Sequence, residues 1–172
     1  LASYANIDGF YYVPRIDREL LLEYKEDLIV LTGGIWGEIP NKILFEGNKK
    51  AEEAVVWWKE YFGEDFYIEI NRHGIEEEND INKILLQFAK THNVKIIACN
   101  NNYYTEKSDA ISHDVLLCVR DGKYQADLKK YIGGSRETRF GFPNSEFYIK
   151  SSDEMKLLFA DLPEAIINTQ EI

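Results

Sequence analysis

Residues 95–104 read Lys95-Ile-Ile-Ala-Cys-Asn-Asn-Asn-Tyr-Tyr104, and this stretch decides how the chain folds. Its first half, up to Cys99, is a short apolar run typical of a buried parallel strand. Its second half is polar and carries Asn101 and Tyr103, which predicts that the strand runs out into a cleft. Because parallel sheets carry their working site at the carboxyl ends of the strands, the stretch predicts both a fold and a place to look for a site.

Two further strands precede this one, and helices separate the three. Leu28 to Thr32 and Phe66 to Ile70 read as strands, while Asn48 to Gly63 and Glu77 to Thr91 carry apolar residues at helical spacing. This alternation predicts an α/β fold with mainly parallel strands and right-handed helical crossovers. The strand ends at 32–34, 71–73 and 100–103 should therefore meet at one edge of the sheet, which we call the carboxyl edge.

The composition indicates one globular domain. Of 172 residues, 45% are hydrophobic, which is enough for a substantial core. No apolar run approaches the roughly 18 residues of a membrane span, and no secretory signal is visible. Cys99 and Cys118 do not make a disulfide framework, so we expect a reducing cytoplasm. A net charge of −10 argues against strong DNA binding by this chain alone.

The boundaries of the elements follow from residues that favour helix starts and loops. The expected starts are Asp17, Asn48, Ser108 and Ser152 as N-caps, and Pro40 and Pro163 at first helical positions. The Ser108 helix runs through Ile111, Val115, Leu116 and Val119. The glycine-rich segment 121–144 shows little periodicity and is predicted as a long loop. Residues 147–149 are predicted as a short strand, and Tyr11 and Tyr12 as a packing cluster.

Glu69 and His73 are the best candidates for a site at the carboxyl edge. Residues four apart on a strand share a face, so both side chains could reach the same rim of the cleft. A carboxylate and an imidazole could bind a metal or move protons. The structural alternative is that His73 bonds the backbone at a turn before Gly74 and that Glu69 is paired inside the sheet. We favour this alternative, because two groups seldom make a tight site without a third.

The sequence contains no complete catalytic set. It has no glycine-rich phosphate loop, no zinc-spaced Cys/His cluster and no nucleophile elbow. His113 and Asp114 are neighbours on a helix and point in different directions, so we expect structural roles for them. Lys129 and Lys130 are read as solvated loop charge. We therefore predict no catalytic residue within this chain.

Five motifs occur in one order along the chain. They are Gly9-Phe-Tyr-Tyr-Val-Pro-Arg-Ile-Asp17, Leu31-Thr-Gly-Gly-Ile-Trp-Gly-Glu38, Glu69-Ile-Asn-Arg-His-Gly74, His113-Asp-Val-Leu-Leu-Cys118 with Gly122, and Phe159-Ala-Asp-Leu-Pro-Glu-Ala165. Each motif alone is weak, but together they strongly resemble the alpha (catalytic) subunits of bacterial DNA polymerase III. The part resembled is the second half of the N-terminal PHP (polymerase and histidinol phosphatase) domain.

The resemblance implies a fold and a division of the chain. Residues 1–150 are expected to be the C-terminal part of a distorted (β/α)7 barrel, and residues 151–172 to be helices that lead towards the polymerase palm. The chain starts at Leu1 and stops at Ile172 inside a helical pattern, so we expect it to be a piece of a longer protein. Missing strands would leave an open sheet edge through which copies of the piece could form an oligomer.

The resemblance also implies which metal ligands have changed. The family's metal-binding Cys aligns with Gly34, and its Asp and His align with Asn101 and Tyr103. Glycine offers no side chain, and an amide or a neutral phenol replaces an anionic or imidazole ligand poorly. The expectation is a degenerate site that holds no metal, with Glu69 and His73 as residual cleft candidates.

The function implied for the longer protein is DNA-directed DNA synthesis with Mg²⁺ in a palm domain outside this chain. Its expected partners are DNA, dNTPs, a proofreading exonuclease, a sliding clamp and a clamp loader. The chain itself is expected to be a scaffold that can dock the exonuclease. Two alternatives remain, a free-standing metal-dependent phosphoesterase of the PHP superfamily and an α/β domain of another role.

Overall fold

The computed structural model describes all residues from Leu1 to Ile172. The helices are α1 (Ala2–Ile7), α2 (Arg18–Glu23), α3 (Glu38–Phe45), α4 (Asn48–Phe62), α5 (Glu76–His92), α6 (Ala110–Asp121), α7 (Ser152–Leu158) and α8 (Pro163–Ile167). The strands are β1 (Val30–Leu31), β2 (Phe66–Asn71), β3 (Lys95–Cys99), β4 (Lys129–Lys130) and β5 (Arg139–Phe140). Short 3₁₀ turns occupy Gly63–Asp65, Lys107–Asp109 and Asn168–Glu171. No helix has the length and apolar character that crossing a bilayer requires.

The main sheet has three parallel strands in the order β1-β2-β3. Val30 pairs with Phe66 on one side of β2, and the pairing of β2 with β3 runs from Tyr67–Lys95 to Asn71–Cys99. The prediction of parallel strands joined by helices is therefore confirmed, although β1 is only two residues long. The register places all three strand ends on the same side of the sheet.

The core lies between the sheet and its crossover helices. Ile68, Ile70, Ile96 and Ala98 share one face of the sheet and belong to a cluster of 18 buried residues. The helices fill that cluster with the residues that the sequence pattern indicated, namely Ala51, Ala54, Val55 and Phe62 from α4 and Ile81, Leu85 and Phe88 from α5. The other face of β2 is also covered, because Tyr67 and Asn71 are buried. A parallel strand covered on both faces has this continuous burial.

Helix starts differ by one residue at three predicted places. Gly47, at φ 96°, precedes α4, so Asn48 is its first residue and not its cap. Ser151 and not Ser152 caps α7, because its side chain accepts from the backbone of Glu154 while Glu154 accepts from the backbone of Ser151. The N-cap of α6 is Asp109 and not Ser108. These shifts are the usual error when a cap is predicted from residue type alone.

Two other starts are confirmed and one is wrong. Asp17 caps α2 by accepting a hydrogen bond from the backbone of Leu20 at 2.8 Å, and Pro163 occupies the first turn of α8. Pro40 does not open α3, since Glu38 and Ile39 precede it in the helix. A proline still fits there, because the first turn of a helix needs no partner for its backbone nitrogen.

The segment 121–144 is more structured than the predicted loop. Strands β4 and β5 pair in parallel, and Arg139 at the start of β5 is buried. Its guanidinium donates to both carboxylate oxygens of Asp114 on α6, at 2.8 and 2.9 Å. Phe142 and Phe147 then form a second core cluster with Ile75 and Leu117. A buried ion pair and an aromatic cluster therefore hold this segment against α6.

The predicted strand at residues 147–149 is reduced to a single bridge. Tyr148 pairs with Tyr104 in parallel, and no strand extends from that pair. The predicted packing cluster at Tyr11 and Tyr12 is wrong, because these side chains are 63% and 83% exposed and contact each other edge to face.

The apolar residues that the sequence pattern indicated for α6 are mostly exposed. Ile111, Leu116 and Val119 are exposed, whereas Leu117 and Cys118 are buried. The helix is rotated so that Leu117 reaches the second core cluster.

Helices α7 and α8 pack onto the same core as the sheet. Phe159 and Ala165 are fully buried within the main cluster. Asn168 donates from its amide to the carbonyl of Ile96 in β3 at 2.9 Å, and Glu171 accepts from Lys95 and Tyr67. These contacts cover the outer edge of β3.

The ion pair between Asp114 and Arg139 should contribute strongly to stability. Asp114→Asn would leave a buried guanidinium without its counter-charge, and we expect the free energy of unfolding to fall by about 3 kcal/mol. Asp121→Asn is the matched control, because Asp121 lies on the same helix and pairs with the exposed Arg120. The control should lose less than about 1 kcal/mol. Urea unfolding measures both variants, and equal losses would contradict the assignment.

Candidate functional site

The carboxyl ends of β1 and β2 come together at the carboxyl edge. A Cβ atom built on Gly34 would lie 3.5 Å from the amide nitrogen of Asn71 and 3.9 Å from Oε1 of Glu69. No other atom outside the neighbouring residues lies within 4 Å of that position. Asn71 and Glu69 thus face the space into which a side chain at residue 34 would project.

Glu69 is partly buried on the face of β2 that points away from the main core. The Asn71 amide donates to its Oε1 at 2.6 Å, and the hydroxyl of Thr32 accepts from the Glu69 backbone at 2.9 Å. Burial raises the pKa of Glu69, while the bond from Asn71 and the nearby His73 act in the opposite direction. The structural alternative for Glu69 is therefore close to what is found, since its carboxylate is paired within the sheet.

His73 is fully buried and is engaged by Glu78. Its Nδ1 lies 2.8 Å from Oε1 of Glu78, and its backbone N–H donates to Oε2 at 2.7 Å. The ring stacks on Phe147 with centroids 4.2 Å apart and planes 5° from parallel. The expected turn at Gly74 is present, at φ 70°, but the partner of His73 is a carboxylate and not the backbone of that turn. The pair links the end of β2 to the first turn of α5.

Two buried polar atoms at this edge have no partner. They are Nε2 of His73 and Oδ1 of Asn71. A cavity of about 10 Å³ lies beside Asn71 and is lined by Gly34, Glu69, Asn71, Glu78 and Asn82, among others. That volume has room for about one water molecule. The edge therefore carries two separate polar pairs, Glu69–Asn71 and His73–Glu78, beside a very small space.

The end of β3 is arranged differently. The Asn101 amide donates to the hydroxyl of Tyr103 at 3.3 Å, and the backbone of Tyr103 donates to Phe147 at 2.9 Å. The Tyr103 ring lies 4.5 Å from that of Phe142. No hydrogen bond joins Asn101 or Tyr103 to Glu69 or Gly34. Asn101 contacts Tyr103, and Tyr103 contacts the 142–147 loop.

Cys99 is the last residue of β3 and lies next to β2. It is paired in register with Asn71, and burial followed by the charge of Glu69 raises the pKa of its thiol to about 12. A thiol with so high a pKa is a poor nucleophile and a poor ligand. Cys99 and the buried Cys118 are both free cysteines.

No three His, Cys, Asp or Glu side chains in the chain are grouped as metal ligands would be. The predicted pair of Glu69 and His73 does lie at one edge, but each is bonded to a different partner.

Sequence reasoning missed Glu78, whose two carboxylate oxygens both engage His73. A signal was present, because Glu78 precedes Ile81 by three positions and Leu85 by seven and so lies on the buried face of α5. A buried carboxylate in that position needs a hydrogen-bonding partner. Its partner could not be read from spacing, because the loop at residues 72–75 sets it.

The chain is similar to a known domain family and to one segment of several longer proteins. The model of the PHP domain family matches residues 1–73. DNA polymerase III subunit alpha of Campylobacter jejuni is 40% identical over 182 aligned residues, that of Borreliella burgdorferi 38% over 172, and that of Thermus aquaticus 38% over 165. These alignments cover 96–100% of the chain but only 12–14% of each relative. The chain thus spans about a seventh of the relatives that it matches.

The Glu78–His73 contact can be tested by Glu78→Gln. The amide oxygen of glutamine can replace one accepting oxygen, but its NH₂ group cannot accept from the second donor. We expect the free energy of unfolding to fall by about 1–3 kcal/mol. Glu77→Gln, at the exposed neighbouring position, should change stability by less than about 0.5 kcal/mol. Urea unfolding gives both values, and a neutral Glu78→Gln would show that the pair does not hold the edge.

Proposed function

Because the chain is homologous, along its whole length, to one segment of the DNA polymerase III alpha subunits, we propose that it works as part of the PHP region of a replicative DNA polymerase. In this proposal the complete protein copies DNA from dNTPs in the bacterial cytoplasm. Its catalytic carboxylates and Mg²⁺ belong to a palm domain outside residues 1–172. The chain acts as a structural scaffold and a contact surface for other subunits. Its net charge of −10 disfavours direct binding to DNA.

The observation that carries the scaffold proposal is the chemistry around Gly34. At the position where a ligand's Cβ would lie, the nearest atom is the amide nitrogen of Asn71. That nitrogen donates a hydrogen bond to Glu69 and offers no lone pair to a metal. The residues present therefore do not fit a metal cluster of the PHP type. No catalytic step through such a cluster follows from this chain.

The two residues that follow β3, Asn101 and Tyr103, support the same proposal. Metal ions in such clusters need carboxylate, imidazole or thiolate ligands, and Asn101 and Tyr103 are bonded to each other instead. Even outer-shell changes typically cost about 10–100-fold in metal affinity, so changes at three ligand positions should cost much more. In this proposal the pairs Glu69–Asn71 and His73–Glu78 hold the edge in place of a metal.

We further propose that the sheet is part of a distorted (β/α)7 barrel. Strand β1 pairs only with β2, which leaves one edge of the sheet free. A free edge readily accepts another strand. In the complete protein, strands outside residues 1–172 would pair there, whereas in solutions of the isolated chain the same edge would allow two copies to associate.

The expected partners follow from the replicative role. They are DNA and dNTPs at the palm, a sliding clamp, a clamp loader and a proofreading exonuclease. The PHP region is proposed as the docking surface for the exonuclease, which would explain a domain that keeps its fold without its own metals. The free-standing phosphoesterase is disfavoured, because the relatives match over the whole chain, including α7 and α8.

A binding experiment tests the scaffold role. The full-length protein and the exonuclease subunit of the same bacterium are mixed with and without a chelator and separated by size-exclusion chromatography. We expect a stoichiometric complex that persists in the chelator, because the docking surface needs no metal. The same exonuclease mixed with an unrelated polymerase is the control. Failure to form a complex would contradict the docking role.

A further inference from the structure

A second cavity lies away from the carboxyl edge, between α6 and the 121–144 segment. Its volume is about 180 Å³, and neither Gly34, Glu69 nor Asn101 lines it. Drug-sized ligands occupy sites of roughly 300–1,000 Å³, so this cavity has room for one small group. None of the side chains that pair at the carboxyl edge, Glu69, Asn71, His73 and Glu78, lines this cavity.

Two side chains that can carry positive charge line the cavity from different elements. His113 comes from α6 and Lys129 from β4, and no hydrogen bond or salt bridge engages either of them. Of the lysines near this side of the chain, Lys107 and Lys150 are both paired with Glu146. Lys129 and His113 are thus free to receive a ligand.

The one carboxylate that lines the cavity is already neutralised. Both oxygens of Asp114 accept hydrogen bonds from the buried Arg139, which holds the pKa of Asp114 below its usual range. With Asp114 and Arg139 cancelling each other, Lys129 supplies the net charge. The segment 121–144 contains five lysines and arginines against three acidic residues, although the whole chain carries −10.

Aromatic rings form part of the wall of the cavity. Phe142 and Tyr104 line it, and the ring of His113 lies 5.4 Å from each of theirs. Polar side chains also line the cavity, and one of them, Lys129, is exposed to solvent. A small cavity with a lysine and an imidazole on opposite elements suits a compact anion with several acceptor oxygens.

We propose that the cavity between α6 and β4 binds a phosphate group, with Lys129 and His113 as its direct contacts. A lysine ammonium is a common partner of phosphate, because it acts as a point charge with three donors. The phosphate is either the free ion or the end of a nucleotide, since both present the same oxygens. This assignment is independent of the scaffold role proposed above.

The test is a titration of the whole chain with sodium phosphate, with thymidine monophosphate and with thymidine. Isothermal calorimetry gives the affinity, and amide NMR shows whether the shifts centre on His113 and Lys129. Equal affinities for the first two ligands indicate the free ion, and tighter binding of thymidine monophosphate indicates a nucleotide. Thymidine binding as tightly as its monophosphate would overturn the proposal, as would the absence of saturable phosphate binding.

Variants of two neighbouring lysines distinguish binding at a specific site from general attraction to surface charge. Lys129→Met removes a charge-assisted contact and should weaken phosphate binding about 10-fold or more. Lys130→Met removes the same charge at the next position of β4, which points to the opposite side of the strand, and should leave the affinity unchanged. His113→Ala should also weaken binding. Equal affinities of Lys129→Met and Lys130→Met would overturn the assignment, and thermal unfolding confirms that each variant is folded.

Discussion

The buried contact between Glu78 and His73 is the interaction on which the carboxyl edge depends. It joins the end of β2 to the first turn of α5, and it holds the imidazole flat against Phe147. Phe147 belongs to the second core cluster, which positions the 142–147 loop. That loop in turn contacts Tyr103 at the end of β3. One carboxylate therefore connects the main sheet, its longest helix and the second cluster.

The parts of the fold that the sequence predicts are those in which each element carries its own pattern. Helices α4 and α5 show an apolar stripe at helical spacing, and β2 and β3 are short apolar runs, so their type and order follow directly. The rotation of α6 was not predictable, because its exposed residues are as apolar as its buried ones and only Phe142 and Phe147 decide which face turns inwards. Asp114 and Arg139 are 25 positions apart, and no local sequence pattern predicts that they pair.

The candidate site shows the same division. The topology of parallel strands placed Glu69 and His73 at one edge, as predicted. The partner of Glu69 is Asn71, two positions further along the same face of β2. The partner of His73 is Glu78, which the path of the loop after β2 brings to it. The result is an edge whose polar groups mostly bind one another. We propose that such internal bonding preserves the fold at Gly34, Asn101 and Tyr103, the three positions where the resemblance places metal ligands.

The proposed function requires a site that is stable without a metal, within a longer protein whose chemistry takes place elsewhere. Its most direct test is the metal content of the full-length protein, measured by elemental mass spectrometry after purification without added metal. The account predicts no zinc or manganese in stoichiometric amount and no change in thermal stability after chelation. One or more tightly bound ions per chain, whose removal destabilises the PHP region and whose return restores it, would contradict the account.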